Sequence, residues 1–245
     1  MSQFYVKPED IIYPAFRLAG DETAHLRRVL RARPGDWIRI FDGLGNAWIA
    51  TIKEFGRDYA AGEIMGILEQ KILPAKITLC FAVPAKNAFE SIIERCTAAG
   101  IFKFQPVITE RTQHGGLVSD GNGFEKRLAR IRQIMISSCR QCERADMPVI
   151  MSPLPYESVL RGSKGIIASF GGIAVEKAVK QITAQSAADT VPSFSVFVGP
   201  EGGFTPDELE AASSAGLISV SLGNNVLRAE DACFYVVLAA INCFN

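Results

Sequence analysis

The chain has 245 residues and 48% hydrophobic content, enough for one large domain or two modest ones around a packed core, and too apolar for a disordered polypeptide. Lysine plus arginine equals aspartate plus glutamate, 26 each, which excludes a global polyanion-binding charge; a nucleic-acid surface has to come from local clustering. MSQFYVKPED lacks a basic stretch followed by an apolar run and is not a signal peptide, and no apolar run is long enough for a bilayer, so a cytoplasmic protein without membrane contact is expected.

After an extended start, Asp21 to Ala32 reads as a short helix stopped by Pro34-Gly35, with Leu26, Val29 and Leu30 on its apolar face. Three strand-like runs follow, Trp37–Phe41, Ala47–Phe55 and Tyr59–Leu68, separated by turn signals at Asp42-Gly43 and Gly56-Arg57-Asp58. Several short strands with one helix predict a small β-barrel domain. Lys71 to Pro74 reads as a linker, which puts the domains at 1–72 and 73–245.

From Lys76 the pattern alternates between strand and helix. Lys76–Val83 is a strand and Asn87–Ala99 an amphipathic helix stopped by Gly100. Phe102–Ile108 is a strand, Phe124–Cys142 a basic helix, Gly165–Phe170 a strand and Ile173–Thr183 a helix. This order predicts an α/β domain with a parallel sheet.

Two strand–turn–helix units close the chain. Phe194–Val198 is a buried strand, and Gly199, Gly202 and Gly203 form a turn that a ligand can approach closely. Thr205 reads as an N-cap, Pro206 as the first helical residue and Glu208 as the partner in a capping box. Leu217–Ser221 is a second strand, and Gly223-Asn224-Asn225 leads into an apolar helix. In an open α/β sheet such units bind ligands at the carboxyl ends of their strands. Arg228 is the only Lys or Arg after residue 185, in a segment that is otherwise acidic. It is either a structural ion-pair partner, of Glu230 or Asp231, or an anion-binding group.

Positive charge collects in AHLRRVLRARPGDWIRI, where Arg27, Arg28, Arg31, Arg33 and Arg39 face a single Asp36. Such a cluster on a small β-domain reads as a phosphate-contacting patch, with His25 beside it. Arg111 belongs either to a salt-bridged turn or to a substrate cleft, and Arg144 lies in a second basic run. Six cysteines point to buried thiols. Cys139 and Cys142 form a lone CxxC, and with only His25 and His114 as histidines no metal site is expected. Gly43-Leu44-Gly45 opens no helix and lacks a third glycine, which argues against a dinucleotide-binding oxidoreductase.

Together these pieces resemble the ribosomal RNA small-subunit methyltransferase E family, SPOUT-class enzymes that methylate N3 of a uridine in 16S rRNA. The resemblance is carried by His25–Gly43, Phe89–Gln113, Gln141–Ile150, VGPEGGFTPDELE at Val198–Glu210 and LGNNVLRAEDA at Leu222–Ala232. It implies an α/β trefoil-knot domain behind a PUA-like barrel, a homodimer, S-adenosyl-L-methionine as cofactor, and 16S rRNA or the small ribosomal subunit as partner. The cofactor residues implied are Phe170, Val198, Gly199, Pro200, Glu201, Gly202, Gly203, Leu222, Gly223, Asn224, Val226 and Leu227. His25, Arg27, Arg28, Arg31, Arg33, Arg111 and Arg144 are the implied RNA contacts. For methyl transfer, Arg228 is the candidate to stabilise deprotonated uracil, and the proton acceptor is Glu201, Glu230 or water. Glu230 also reads as a charge complementing the helix N-terminus. Asn224-Asn225, Ala229, Ala85 and Ala88 depart from the family pattern. They leave open a SPOUT enzyme for another RNA position, or a non-catalytic RNA-binding assembly protein.

Overall fold

A computed structural model describes residues 2–28, 30–70, 72–112, 123–184 and 190–244. Val29, Lys71 and His114 of the sequence reading lie outside the described residues. The chain divides into two compact units, Met1–Ile72 with Ile136–Met147, and Leu73–Met135 with Pro148–Asn245.

The first unit contains β1 (Gln3–Tyr5), a 3-10 turn at Pro8–Asp10, β2 (Ile11–Ile12), β3 (Ala15–Ala19), α1 (Asp21–Arg28), β4 (Trp37–Phe41), β5 (Ala47–Phe55) and β6 (Tyr59–Leu68). The last three occupy the residues of the three strand-like runs expected from the sequence. The strands form one six-stranded sheet in the order β1-β4-β5-β6-β3-β2, antiparallel except where β1 meets β4. Phe4, Phe16, Leu18, Leu26, Ile38, Ile40 and Ile52 fill its concave side. Two register shifts in β5 against β6 supply the local bends that curl the sheet.

The helix α1 is shorter than the predicted Asp21–Ala32. Arg31 adopts a left-handed conformation, φ 52°, and the Ala32 N–H turns back to the Leu26 carbonyl. The chain therefore leaves the helix before Pro34-Gly35 is reached.

Residues 136–147, placed in the second domain from sequence, group with the first unit. Ile136, Cys139 and Ala145 pack against Tyr5, Phe41 and Ala47. Polar ties add to this: Arg140 pairs with Glu22 at 3.2 Å, Arg39 with Glu143 at 2.6 Å, and the Gln3 side chain donates to the Arg144 carbonyl. Burial pushes the Cys139 thiol up to about 12, so this half of the CxxC is a core residue.

The second unit contains β7 (Lys76–Ala82), α2 (Lys86–Ala99), β8 (Lys103–Ile108), β9 (Val149–Ile150), β10 (Leu154–Pro155), α4 (Tyr156–Leu160), β11 (Gly165–Ala174), α5 (Val175–Thr183), β12 (Ser193–Val198), α6 (Pro206–Ser214), β13 (Ile218–Ser221) and α7 (Ala229–Asn242). The helix α3 (Gly123–Cys142) begins here and ends in the first unit. All strand pairs are parallel, in the order β10-β8-β7-β12-β11-β13, with β9 also on β8. Thus β12 enters between β7 and β11, and β13 lies on the far side of β11. Cys80, Phe197 and Ile167 register side by side and pack with Tyr156, Phe204 and Ala212. In addition, α7 lies along α2 and over β7 and β12.

The predicted helix Ile173–Thr183 begins later than expected. After a bulge between Ala168 and Ile173, β11 resumes pairing with β13, Ile173 against Val220 and Ala174 against Ser221. Gly171, at φ 77°, makes that bulge possible.

At the entry to β11, a Cβ on Gly165 would sit 1.8 Å from the Ser195 carbonyl oxygen of β12. Gly165→Ala should therefore cost at least about 2 kcal/mol through overpacking, seen as a lower urea midpoint at unchanged slope. An unshifted midpoint would mean that β11 and β12 do not approach so closely.

Candidate functional site

The carboxyl ends of β12 and β13 open into loops on either side of β11. The first loop, 199–205, turns through a bond from the Gly203 N–H to the Pro200 carbonyl, with Gly203 at φ 69°. A Cβ on Gly199 would come within 3.0 Å of the Phe204 ring and 3.2 Å of the Phe204 backbone nitrogen, so a larger residue there would have to push that ring aside. The loop ends in the predicted capping box: the Glu208 N–H donates to Thr205 Oγ1, and the Thr205 N–H donates to the Glu208 carboxylate at 2.8 Å. The second loop, 222–228, turns at Gly223, φ 117°. The Ser221 hydroxyl bonds its N–H and carbonyl, both at 3.3 Å. Arg228 then stands at the N-cap of α7, and its carbonyl accepts from the Ala232 N–H.

Between these loops lies a cavity of about 490 Å³, within the range of small-molecule and cofactor sites. Ala168, Ser169 and Phe170 come from the β11 bulge, Val198–Phe204 from the first loop, Leu222, Gly223 and Asn225–Leu227 from the second, and Leu209, Ala229 and Ala232 from the helices. Its walls are mainly apolar side chains and glycine backbone. Phe170 is 70% exposed and Val226 77%, so apolar surface is presented at the mouth as well.

Of the sequence-derived cofactor set, Phe170, Val198, Gly199, Pro200, Glu201, Gly202, Gly203, Leu222, Gly223, Val226 and Leu227 line this cavity; Asn224 does not. Sequence reasoning missed Ala168, Ser169, Phe204, Leu209, Asn225, Ala229 and Ala232. The spacing of Ala229 and Ala232, two small residues three apart at a helix start, was a signal that could have been used.

Glu201 is exposed and lines the cavity, whereas Arg228 and Glu230 flank it without lining it. Asp231 pairs with Arg95 at 2.7 Å. Among the described residues Arg228 forms no ion pair, which leaves its guanidinium to solvent.

In the first unit the implied RNA contacts divide by what already occupies them. Arg27 donates to the carbonyls of Gly56 and Arg57 and lies over the Phe55 ring. Arg144 is spent in a two-pronged pair with Asp146. Arg28, Arg31 and Arg33 are exposed, and among the described residues they form no ion pair. In the second unit Arg111 donates to the Gly202 carbonyl.

His25 packs against Phe4, and its pKa is lowered from 6.5 by burial first and by Arg140 second. The folded chain resists its protonation, so stability present above pH 6.5 is lost as pH falls through the folded value. Glu22 acts with the opposite sign: burial raises its pKa above 4.5, and acidification toward that value is stabilising. His25→Gln removes the first slope alone. Urea titrations from about pH 7 to about pH 5 should show the wild type losing more stability than the variant; parallel profiles would contradict the burial of His25.

Residues 71–241 match the family profile described as an RNA methyltransferase domain, and residues 18–65 match that of an RNA methyltransferase PUA domain. The chain is similar to ribosomal RNA small subunit methyltransferase E of Synechocystis sp. (strain ATCC 27184 / PCC 6803 / Kazusa), 32% identical over 97% of this chain and 76% of the relative. It is 31% identical to that of Mycobacterium bovis over 91% of this chain and 84% of the relative. The solved structure of the enzyme of that name from Neisseria gonorrhoeae bound to S-adenosyl methionine is 28% identical, with a TM-score of 0.79 over 98% of this chain and 96% of that one. The strand order of the second unit is accordingly that of a SPOUT trefoil-knot domain, and the curled sheet is a PUA-like barrel. With both profiles matched and full-length similarity of this kind, the chain belongs to the ribosomal RNA small subunit methyltransferase E family.

Proposed function

We propose that this protein methylates N3 of a uridine in 16S rRNA, with S-adenosylmethionine held in the cavity between the 199–205 and 222–228 loops. The observation that carries this reading is the single cavity that both glycine loops and the start of α7 line together. Its composition suits a nucleoside-sized cofactor. Leu222, Val226 and Leu227 offer an apolar bed for a flat base, while the glycine loops bring backbone N–H and C=O groups close enough for ribose and amino-acid contacts.

When bound there, the cofactor would supply an electrophilic methyl carbon on a sulfonium, whose sulfur keeps the C–S electron pair and leaves as a neutral thioether. The chain's residues then hold the nucleophile in line, and such positioning provides a large part of the rate. Uracil N3 must lose its proton, and Glu201, exposed at the cavity, accepts it directly or through water. The N3–H electron pair becomes the lone pair that attacks. Negative charge then spreads over N3 and the two carbonyl oxygens, and the Arg228 guanidinium stabilises it. Glu230 sits in the first turn of α7, where its charge complements the helix N-terminus. The exposed Arg28, Arg31 and Arg33 contact rRNA phosphates. A homodimer is part of the same reading: Tyr235 and Leu238 of α7 are 50% and 38% exposed, apolar surface that a second copy covers.

Arg228→Ala should reduce methyl transfer to purified small ribosomal subunits by about 100-fold with cofactor affinity unchanged by calorimetry. Wild-type turnover would remove Arg228 from the chemistry. A folded wild type that takes up no cofactor would instead favour the non-catalytic RNA-binding reading.

A further inference from the structure

The start of β4 carries an aromatic ring that the fold leaves uncovered. Trp37 is 52% exposed. It stands opposite Thr51 of β5, while the next residue, Ile38, stands opposite Ala50. Ile38 and Ala50 belong to the core of the first unit, so alternation puts Trp37 on the outer face of the sheet. Further along the same row Glu63 lies opposite Thr51, and Lys53 pairs with it at 3.1 Å. On the other flank β1 registers with β4 only from Arg39 onward. Trp37 therefore occupies an open corner of the sheet.

Neighbouring rings of this unit are already used. Arg17 lies 4.3 Å over the Tyr59 ring and Arg27 5.1 Å over the Phe55 ring, and Trp48 packs against the core. Among the described residues no cation or ring stacks on Trp37. The turn that leads into it is braced. The Arg33 N–H donates to the Asp36 carboxylate at 2.7 Å, the Gly35 N–H to the Ile52 carbonyl at 2.8 Å, and the Ile52 N–H to the Asp36 carbonyl at 3.0 Å. From residue 28 to 37 three arginines face that one carboxylate, and Arg28, Arg31 and Arg33 are exposed. Tyr13, 70% exposed, offers a contrast, because the charges just before it are Lys7, Glu9 and Asp10.

An open indole beside exposed guanidiniums suits single-stranded nucleic acid, whose bases stack on the ring while the cations meet the backbone. In a duplex the bases are stacked on one another, and mainly phosphates and sugars remain for such a surface. We propose that Trp37 stacks on an unpaired nucleobase of the RNA substrate, and that the first unit thereby distinguishes single-stranded from duplex RNA. This rests on the reading in which Arg28, Arg31 and Arg33 meet rRNA phosphates, and it adds a base contact to those charge contacts. Stacking tolerates every base, so Trp37 selects strandedness and not sequence.

The test uses the full-length protein without methyl donor, as wild type, Trp37→Ala, Trp37→Phe and Tyr13→Ala. The probes are an oligouridine of about ten nucleotides, within the span of a small single-strand site, and its duplex with oligoadenine. Oligouridine is expected to quench the indole emission of the wild type and to leave Trp37→Phe unquenched, since the one other tryptophan, Trp48, is packed against the core. Trp37→Ala should weaken oligouridine binding about tenfold with the salt slope retained, because the phosphate contacts remain. Its duplex affinity and its urea midpoint should match the wild type. Trp37→Phe keeps a ring and should stay within about threefold of the wild type, and Tyr13→Ala should behave as the wild type. Undiminished oligouridine binding by Trp37→Ala, or an equal loss for oligouridine and duplex, would overturn the proposal and leave the phosphate contacts and the methyl-transfer reading in place. A wild type that binds neither probe at low salt overturns the proposal together with the phosphate contacts. Loss of methyl transfer in a protein whose Trp37 is still quenched would count against the catalytic reading alone.

Discussion

Everything at the site depends on where β11 lies. It is hydrogen-bonded on one side to β12 and on the other to β13, all three parallel. Their carboxyl ends therefore emerge on the same side of the sheet. Neighbouring strands stand about 4.8 Å apart, so the loops leaving β12 and β13 begin about 10 Å apart with the tip of β11 between them. That is the width of a nucleoside. Were β13 placed beside β12, the two glycine loops would crowd each other and no cavity of this shape would remain.

The cost of this arrangement is visible in its details. Apolar residues at the mouth of the cavity, Phe170 and Val226, stay in water until something covers them. The bulge in β11 gives up ladder bonds between Ala168 and Ile173 in order to send Phe170 into the opening. Charge is distributed with the same economy. Arg95 draws off Asp231, and the Glu208 carboxylate is satisfied by backbone N–H groups. Two guanidiniums, Arg111 and Arg228, remain near the cavity without a carboxylate among the described residues. In the first unit Arg27 and Arg144 are bound up in internal contacts, while Arg28, Arg31 and Arg33 are left to solvent.

Much of this was legible in the chain because local chemistry determines it. Strand-like runs over Trp37–Phe41, Ala47–Phe55 and Tyr59–Leu68, bounded by turn signals, gave the observed strand bounds, since turn chemistry acts within a few residues. Thr205, Pro206 and Glu208 marked the start of α6 because capping acts within one turn. Features set by distant partners were not legible. The two- and three-residue strands β1, β2, β9 and β10 exist only through their neighbours in the sheet. Residues 136–147 join the first unit through Tyr5 and Phe41, about a hundred positions away in sequence. The continuation of β11 past its bulge is dictated by Val220 and Ser221 of β13. The cavity walls followed the same division. The glycine loops could be read directly, whereas Ala168, Ser169 and Leu209 line the cavity because of how the sheet is ordered. The tie from Glu110 to Glu208, nearly a hundred residues apart, carried no local signal at all.

Amide hydrogen exchange with and without S-adenosylmethionine addresses the shared cavity most directly. Saturating cofactor is expected to slow exchange in both 199–205 and 222–229 at the same ligand concentration, with the β11 bulge following. Protection confined to one of the two loops, or absent from both in a folded protein, would contradict it.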